Sequence, residues 1–348
     1  MNPVRVAIVD DALFIREGLR RLLSVEPRIQ VVGTAANGAA LLRHVDEWRP
    51  EVVTLDLEMP ELDGLQTLDR LMARHPVPVV ILSTHSGAGA PRTIEALARG
   101  AVDFIDKESF SLVDFEALRE VLVQKILTVA RPAVPGGADP VAPVPPAAPG
   151  RRCELLVIGA STGGPRAVET VLAHLGPPSR VPVPVVVVQH MPAGFTEAFA
   201  ARLDRCLPLT VREAGEGQVL EPGVVLVAPG GRHLTLAPAG AGLRVALPDD
   251  VPDALHLPSV DAAFRSARDT LGGRVAAVLL TGMGRDGARG MAELRARGAH
   301  TIAQDEATCV VYGMPGAAAE LGGASEILPL ERIGPRVSEL LREGGDPR

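Results

Sequence analysis

The chain has 348 residues, 47% of them hydrophobic, and a formal net charge of −7. This length is typical of about two domains, and the negative charge argues against nucleic acid or an anionic membrane surface as the main partner. No apolar run approaches the roughly 20 residues that cross a bilayer, and the three cysteines lie far apart, as in a reducing cytosol. We therefore expect a cytoplasmic protein with no direct membrane insertion.

Short apolar strands alternate with helical patterns over the first 128 residues. The pattern predicts strands over Arg5–Val9, Gln30–Ala35, Val52–Asp56, Val79–Ser83 and Asp103–Lys107. Five such units predict an α/β domain with a doubly wound parallel sheet, in which functional groups gather outside the carboxyl ends of the strands.

Residue types suited to phosphoryl chemistry follow these strand ends. Asp10 and Asp11 follow the first strand, and Asp56 ends the third. Three carboxylates at one edge repel one another unless a hard cation such as Mg²⁺ joins them, and one of them can accept a phosphoryl group. Ser83 and Lys107 end the fourth and fifth strands, where a hydroxyl and an ammonium suit an incoming phosphoryl group. Taken singly, an aspartate after a strand is more often a loop former or a helix N-cap.

Residues 1–128 resemble a response-regulator receiver domain of the flavodoxin-like fold. The motif DLEMP at residues 56–60, followed by DG at 63–64, carries the resemblance. It implies that Asp56 is phosphorylated and that Ser83 and Lys107 contact the phosphoryl group. One departure is Glu108, which stands where the family usually has a proline.

The same resemblance implies a Mg²⁺ site in the receiver domain. Asp11, Asp56 and the backbone carbonyl of Glu58 would hold the ion, and Asp10 would assist through a water molecule. The phosphodonor that this resemblance implies is a histidine kinase.

Residues 131–150, RPAVPGGADPVAPVPPAAPG, are rich in proline, alanine and glycine. They have almost no charge and no periodicity, which predicts an extended linker stiffened by proline. We therefore divide the chain into a receiver domain at 1–128, a linker at 129–151 and a catalytic domain at 152–344.

Downstream of the linker, strands and helical patterns alternate again. The predicted strands are Leu155–Ser161, Val185–His190, Val275–Thr281 and Thr301–Gln304. Residues 224–247 instead alternate with period two around glycine-rich turns, which predicts antiparallel hairpins. We expect a second doubly wound α/β domain, Rossmann-like, with an antiparallel hairpin insertion.

Residues 158–165, IGASTGGP, place Ser161 and Thr162 between glycines at the tip of a buried strand. The pentapeptide GASTG fits G-x-S-x-G, in which a sharp strand-to-helix turn exposes a nucleophilic serine. A phosphate cradle or a plain turn is also compatible with it. A cradle would usually show G-x-G-x-x-G or Gly-Lys-Ser/Thr, and neither is found here.

Two further strand ends supply partners for a serine nucleophile. His190 directly follows a buried parallel strand, where it can take the hydroxyl proton, although a lone histidine is more often a capping or packing residue. Asp286 lies in TGMGRDG after another strand, where it can orient the imidazole or merely cap a helix. Asp261 is a second candidate for that acid. The order Ser, His, Asp along the chain differs from that of the α/β-hydrolases.

Residues 152–344 resemble the catalytic domain of the CheB-type chemotaxis protein-glutamate methylesterases. The resemblance rests on GASTGGP, QHMP, APGGRHL, PSVD, TGMGRDG and AQDEATCVVYGMP. It implies Ser161 as nucleophile, His190 as general base and then acid, and Asp286 as the residue that orients it. The backbone N–H of Met283 would line the oxyanion hole, with Thr162 beside the nucleophile.

The implied reaction is hydrolysis of glutamate methyl esters, together with deamidation of glutamines, on the cytoplasmic domains of chemoreceptors. No cofactor is implied for the catalytic domain. Leu257 and Gly316 stand where the family often has basic residues. Our hypothesis is that the unphosphorylated receiver covers the Ser161 edge and that phosphorylation weakens this contact. The alternative is a non-catalytic signalling module that only binds a receptor or a kinase.

Overall fold

The structure is a computed structural model that describes residues 2–83, 89–107, 115–130, 153–240 and 242–343. The chain forms two compact units, Met1–Pro132 and Ala133–Arg348. Glu108 and residues 131–151 of the predicted linker lie outside the described residues. Within the described ranges, no helix is both long and apolar enough to span a membrane.

The first unit is built on a five-stranded parallel sheet with the order β2-β1-β3-β4-β5. Its strands are β1 (Val4–Val9), β2 (Ile29–Ala35), β3 (Val52–Asp56), β4 (Val79–Ser83) and β5 (Asp103–Asp106). Its helices are α1 (Leu13–Ser24), α2 (Gly38–Trp48), α3 (Gly64–Arg74), α4 (Gly89–Ala98) and α5 (Phe115–Val129).

The sequence explains why strands and helices alternate in this unit. All five residues of β3 and all five of β4 are buried, as expected for parallel strands covered on both faces. Asn37 and Asp63 begin the helices that follow, because their side chains accept hydrogen bonds from the backbone amides of Ala40 and Gln66 at 2.8 Å each.

The second unit is built on a seven-stranded parallel sheet with the order β14-β13-β12-β6-β7-β9-β8. Its strands are β6 (Leu155–Ala160), β7 (Val185–Gln189), β8 (Thr210–Glu213), β9 (Val224–Val227), β12 (Val275–Leu279), β13 (His300–Gln304) and β14 (Glu326–Leu328). Its helices are α6 (Gly164–Ala173), α7 (Phe195–Cys206), α8 (Val260–Leu271), α9 (Ala288–Ala296), α10 (Met314–Glu320) and α11 (Leu330–Glu343). The remaining strands, β10 (Thr235–Ala239) and β11 (Gly242–Ala246), form a separate antiparallel pair.

The α/β prediction with two parallel sheets and an antiparallel hairpin is therefore confirmed. The prediction was wrong for residues 224–227, which form β9 of the parallel sheet and pair with β7 and β8. All four residues of β9 are buried, so this segment belongs to a continuous apolar strand and not to a half-exposed hairpin. The short strands β8 and β14 were not predicted.

Candidate functional site

The ends of three neighbouring strands bring the predicted catalytic residues to one edge of the second sheet. Ala160 on β6 lies opposite Gln189 on β7, so the next residues, Ser161 and His190, leave adjacent parallel strands side by side. Asp286 lies in the loop after β12, which is the other neighbour of β6.

The turn that carries Ser161 is held by its backbone. The Ser161 N–H donates to the Thr281 carbonyl at 3.0 Å, and the Ser161 carbonyl accepts from the Gly164 N–H at 2.8 Å and from Gln189 Nε2 at 2.9 Å. Gly163 has φ +76°, in the left-handed region that favours glycine. Within the part of the chain that the structure describes, the Ser161 hydroxyl forms no hydrogen bond, either with His190 or with any other group.

The loop after β12 approaches Ser161 closely. A Cβ atom at Gly282 would lie 2.8 Å from the Ser161 Cβ, so only glycine fits there, and Met283 follows it directly. The Thr281 hydroxyl donates to the Thr162 carbonyl at 3.0 Å, which ties the same loop to the residue after Ser161. Thr162 directly follows Ser161, and Met283 directly follows Gly282, which packs against Ser161.

Asp286 holds His190 and is itself held by the start of α8. His190 Nε2 and Asp286 Oδ2 are 2.7 Å apart. The carboxylate also accepts from Ser259 Oγ at 3.0 Å and from the backbone amides of Val260 at 2.7 Å and Asp261 at 2.9 Å. Burial alone would raise the pKa of Asp286, but His190 first, and then the backbone amides of Asp261 and Val260, lower it to about 2. The carboxylate is thus ionised at neutral pH.

The contact with Asp286 determines which nitrogen of His190 can act as a base. With the Nε2 proton donated to the carboxylate, Nδ1 is the unprotonated nitrogen. The ring of His256 stacks on that of His190, with centroids 4.3 Å apart and planes inclined by 23°. Burial, and next the nearby His190, lower the pKa of His256. No sequence pattern singled out His256, because its loop follows the antiparallel strand β11 and not a strand of the parallel sheet.

Asp261, the other candidate acid, has a different role in the structure. Its Oδ1 accepts a hydrogen bond from the Gly290 amide at 2.7 Å, which joins α8 to α9. Burial raises the pKa of Asp261. Asp286 is therefore the acid of the two that contacts His190.

The two departures from the family pattern lie near this edge. Leu257 comes two residues before Ser259, whose hydroxyl binds Asp286, and its side chain is exposed. Gly316 lies within α10, and a Cβ atom there would be 3.1 Å from the ring of Tyr312. The absence of a side chain at 316 thus leaves room for the tyrosine ring.

The carboxyl edge of the first sheet gathers the predicted phosphorylation residues. Carboxylate oxygens of Asp10, Asp11 and Asp56 all lie within 4.8 Å of one another. Lys107 Nζ lies 2.8 Å from Asp10 Oδ2 and 2.9 Å from Asp56 Oδ2. Three oxygen donors at this separation fit a hard divalent cation such as Mg²⁺.

Charge and burial compete at this cluster. Burial raises the pKa of Asp56, and the nearby Lys107 offsets only part of that effect. Burial alone would lower the pKa of Lys107, but the charges of Asp56 and Asp10 outweigh it and raise that pKa. Lys107 is therefore held as a cation beside the carboxylate that is predicted to accept the phosphoryl group.

The two remaining predicted residues lie close to Asp56. The Glu58 N–H donates to Asp56 Oδ1 at 3.3 Å, so the loop after β3 folds back on the carboxylate. Ser83 ends β4, the strand next to β3, and its hydroxyl is hydrogen-bonded to that of Thr93 on α4. Ser83 would have to turn from Thr93 to contact a phosphoryl group.

Comparisons with known proteins identify a family for each of the two units. A family model for the CheB methylesterase matches residues 156–337, and one for the response regulator receiver domain matches residues 6–120. The chain is 45% identical to the protein-glutamate methylesterase/protein-glutamine glutaminase of Symbiobacterium thermophilum, over 99% of this chain and 98% of that one. It is 43% identical to protein-glutamate methylesterase/protein-glutamine glutaminase 1 of Xanthomonas campestris, over 97% and 98%.

A solved structure is similar to the second unit. The crystal structure of the Thermotoga maritima CheB methylesterase catalytic domain is 40% identical in sequence and superposes with a TM-score of 0.52. The match covers 54% of this chain and 98% of that one.

Proposed function

The chain belongs to the CheB methylesterase family and carries a response regulator receiver domain, and on that basis we propose how it works. It is a hydrolase of the protein-glutamate methylesterase/protein-glutamine glutaminase class. We propose that it acts on the cytoplasmic domains of chemoreceptors in chemosensory adaptation, through the triad Ser161, His190 and Asp286.

The observation that carries this proposal is the contact between His190 and Asp286 beside the Ser161 turn. An ionised carboxylate that accepts a hydrogen bond from the Nε2–H group fixes the imidazole tautomer and stabilises the imidazolium that forms during the reaction. The other three hydrogen bonds to Asp286 keep it from rotating away from His190.

In the first half of the reaction, Ser161 Oγ attacks the γ-carbonyl carbon of the glutamate methyl ester. His190 Nδ1 takes the hydroxyl proton and then gives it to the methoxide that leaves, so methanol departs and an ester joins Ser161 to the glutamate side chain. In the second half, water loses a proton to His190 and attacks that ester. The proton returns to Ser161 Oγ, and glutamate is the product. A glutamine substrate follows the same path and releases ammonia.

The negative charge of each tetrahedral intermediate needs hydrogen-bond donors. We assign this role to the backbone N–H of Met283, because Gly282 brings that loop against Ser161. Thr162 lies beside the nucleophile and is tied to the same loop through the Thr281 hydroxyl. Loss of one such donor commonly lowers kcat by about 10²–10³-fold.

In the receiver domain we propose that Asp56 accepts a phosphoryl group from a chemotaxis histidine kinase. Asp11, Asp56 and the Glu58 carbonyl would hold Mg²⁺, with Asp10 acting through water, and Ser83 and Lys107 would contact the phosphoryl oxygens. A bound Mg²⁺ would neutralise part of the charge that collects there. The close set of three carboxylates with Lys107 supports this assignment. Phosphorylation of Asp56 then raises the hydrolase activity of the second unit.

The test is methanol release from a methylated receptor cytoplasmic fragment, with and without acetyl phosphate and Mg²⁺. We expect release by the wild-type chain, a rise on addition of the phosphodonor and no release by Ser161→Ala. Asp56→Asn should lose the rise. Release that needs Ser161 but ignores the phosphodonor would remove the regulatory part. No release from a receptor fragment that binds would favour the non-catalytic module.

A further inference from the structure

Gln189 is a buried polar side chain at the carboxyl edge of the second sheet, and the proposed reaction assigns it no role. It ends β7 directly before His190, and only 2% of it is exposed. Its Nε2 group donates to the Ser161 carbonyl at 2.9 Å and to the His190 carbonyl at 3.2 Å. One side-chain amide therefore joins the backbone of the proposed nucleophile to the backbone of the proposed base.

The neighbours of this amide determine which way it faces. The two groups beside Nε2 are carbonyl oxygens, which accept hydrogen bonds and would repel the amide oxygen. Oε1 faces Gly164 instead, where a Cβ atom would collide with it, and it has no hydrogen-bond partner among the described residues. A buried oxygen without a partner lowers stability, and a requirement for the two N–H donors explains why the amide is kept there.

The backbone sets the separation of the proposed nucleophile and base, because the Ser161 hydroxyl forms no hydrogen bond with His190 in the described part of the chain. The hydrogen bonds between β6 and β7 continue as far as the bond from the His190 N–H to the Ala160 carbonyl, at 3.1 Å. Beyond that bond, the Gln189 amide joins the two segments as they leave the sheet. A displacement of about 1 Å between reacting groups lowers a rate by about 100-fold, so this link bears directly on the reaction.

We propose that Gln189 is a positioning residue, whose amide N–H groups set the separation of Ser161 and His190 by holding both backbone carbonyls. This inference rests on the proposed function, because it takes Ser161 as the nucleophile and His190 as the base. It adds a requirement for hydrogen-bond donors at position 189, beyond a buried side chain of the right size. Gln189 acts through these two residues and exchanges no proton itself.

The test compares the full-length wild-type chain with Gln189→Met, which keeps the length of the side chain and removes both donors. Thr301→Val is the matched control. Thr301 is fully buried in the same sheet, and its hydroxyl accepts from the Ser325 amide at 2.9 Å near the amino end of β13, away from the catalytic edge.

The main readout is labelling of Ser161 by a small fluorophosphonate, which needs the nucleophile and its base but no receptor. The labelling rate reports how the two groups are positioned, whereas the final extent of labelling counts the folded sites. The second readout is kcat and KM for methanol release from a methylated receptor fragment.

We expect Gln189→Met to be labelled about 100-fold more slowly than the wild-type chain and to reach the same final extent. The kcat for methanol release should fall by a similar factor, while KM stays within about threefold, as expected when an interaction affects the transition state and not substrate binding. Thr301→Val should lower the melting temperature but be labelled at the wild-type rate.

Gln189→Glu provides the test if the methionine variant does not fold. The protonated carboxyl group can donate one hydrogen bond to either carbonyl, whereas the ionised form has no donor and repels both. The ratio of its labelling rate to that of the wild-type chain should therefore fall as the pH rises. It should stay low at alkaline pH, where His190 is neutral in both chains.

Three results would overturn the inference. A wild-type labelling rate in Gln189→Met would show that the donors are not needed. A lower final extent at the wild-type rate, or an equal fall in rate for Thr301→Val, would show that Gln189 only stabilises the fold. A pH-independent ratio for Gln189→Glu would show that donation at position 189 does not control Ser161. Failure of the proposed function has a different signature, which is methanol release or labelling that persists in Ser161→Ala.

Discussion

At the scale of single residues, the two acids Asp261 and Asp286 lie close together in different environments. The Asp286 carboxylate accepts hydrogen bonds from His190, Ser259 and the first amides of α8, whereas the Asp261 carboxylate accepts one from the Gly290 amide. An amide at position 286 would have to turn an NH₂ group toward at least one of these donors. The amide would therefore lose hydrogen bonds that fix its own position, and it would no longer fix the tautomer of the His190 imidazole.

We expect Asp286→Asn to lower kcat for demethylation by about 10³–10⁴-fold, the size of effect seen when a triad acid becomes an amide. Asp261→Asn keeps an oxygen for the Gly290 amide and should stay within about threefold of the wild-type kcat. The measurement is the initial rate of methanol release at saturating receptor fragment. Equal losses in the two variants would contradict the assignment of Asp286 as the orienting acid.

At the scale of secondary-structure elements, two helices that follow neighbouring strands begin at glycines with similar positive φ angles and different surroundings. Gly163 precedes α6 with φ +76°, and Gly194 precedes α7 with φ +82°. A Cβ atom at Gly163 would lie 2.6 Å from Val310 Cγ2, whereas no described atom lies within 4 Å of one at Gly194. The pair therefore separates the backbone cost of a positive φ from the effect of close packing at the serine turn.

We expect Gly163→Ala and Gly194→Ala both to lower the melting temperature, since an alanine forced to a positive φ costs on the order of 1–2 kcal/mol or more. Only Gly163→Ala must also move Val310 or the turn that carries Ser161. Its fluorophosphonate labelling rate should fall by about 100-fold, as expected for a nucleophile displaced by about 1 Å. Gly194→Ala should label at the wild-type rate. Wild-type labelling of Gly163→Ala would show that the turn tolerates the side chain.

Strand ends were predictable here because buried parallel strands are continuous apolar runs with abrupt ends. VVVVQ before His190 and LLVIGA before Ser161 are such runs, and the structure places strands over both. Because parallel strands end at the same edge of a sheet, Ser161 and His190 could be assigned to one edge from the strand ends alone.

Other features depend on contacts that no local pattern encodes. In the sequence, the four residues of β9 run directly into a segment in which apolar and polar residues alternate as in a hairpin. Only the pairing of β9 with β7 and β8 shows that it belongs to the parallel sheet. The stack of His256 on His190 is likewise set by the path of the loop before α8. Tertiary contacts thus determine which sheet a strand joins, because the intrinsic strand preference of its residues does not specify its neighbours.

At the scale of the whole molecule, the two units can be observed separately within one chain. The single tryptophan, Trp48, lies at the end of α2 in the first unit. Its fluorescence therefore reports unfolding of the receiver unit, even when the catalytic unit is present. Carboxylate oxygens of Asp10, Asp11 and Asp56 lie within 4.8 Å of one another in that unit, and Lys107 places a single positive charge beside these three carboxylates.

We expect Mg²⁺ to raise the melting temperature followed by Trp48 fluorescence in the full chain. A ligand that binds only the folded state stabilises it by about 2.7 kcal/mol at 100 times its dissociation constant. Asp11→Asn removes one charged ligand and should reduce the shift, whereas Ser161→Ala, in the other unit, should keep it. NaCl at matched ionic strength is the control for screening. The same shift with NaCl, or an undiminished shift in Asp11→Asn, would show that the carboxylate cluster is not where Mg²⁺ binds.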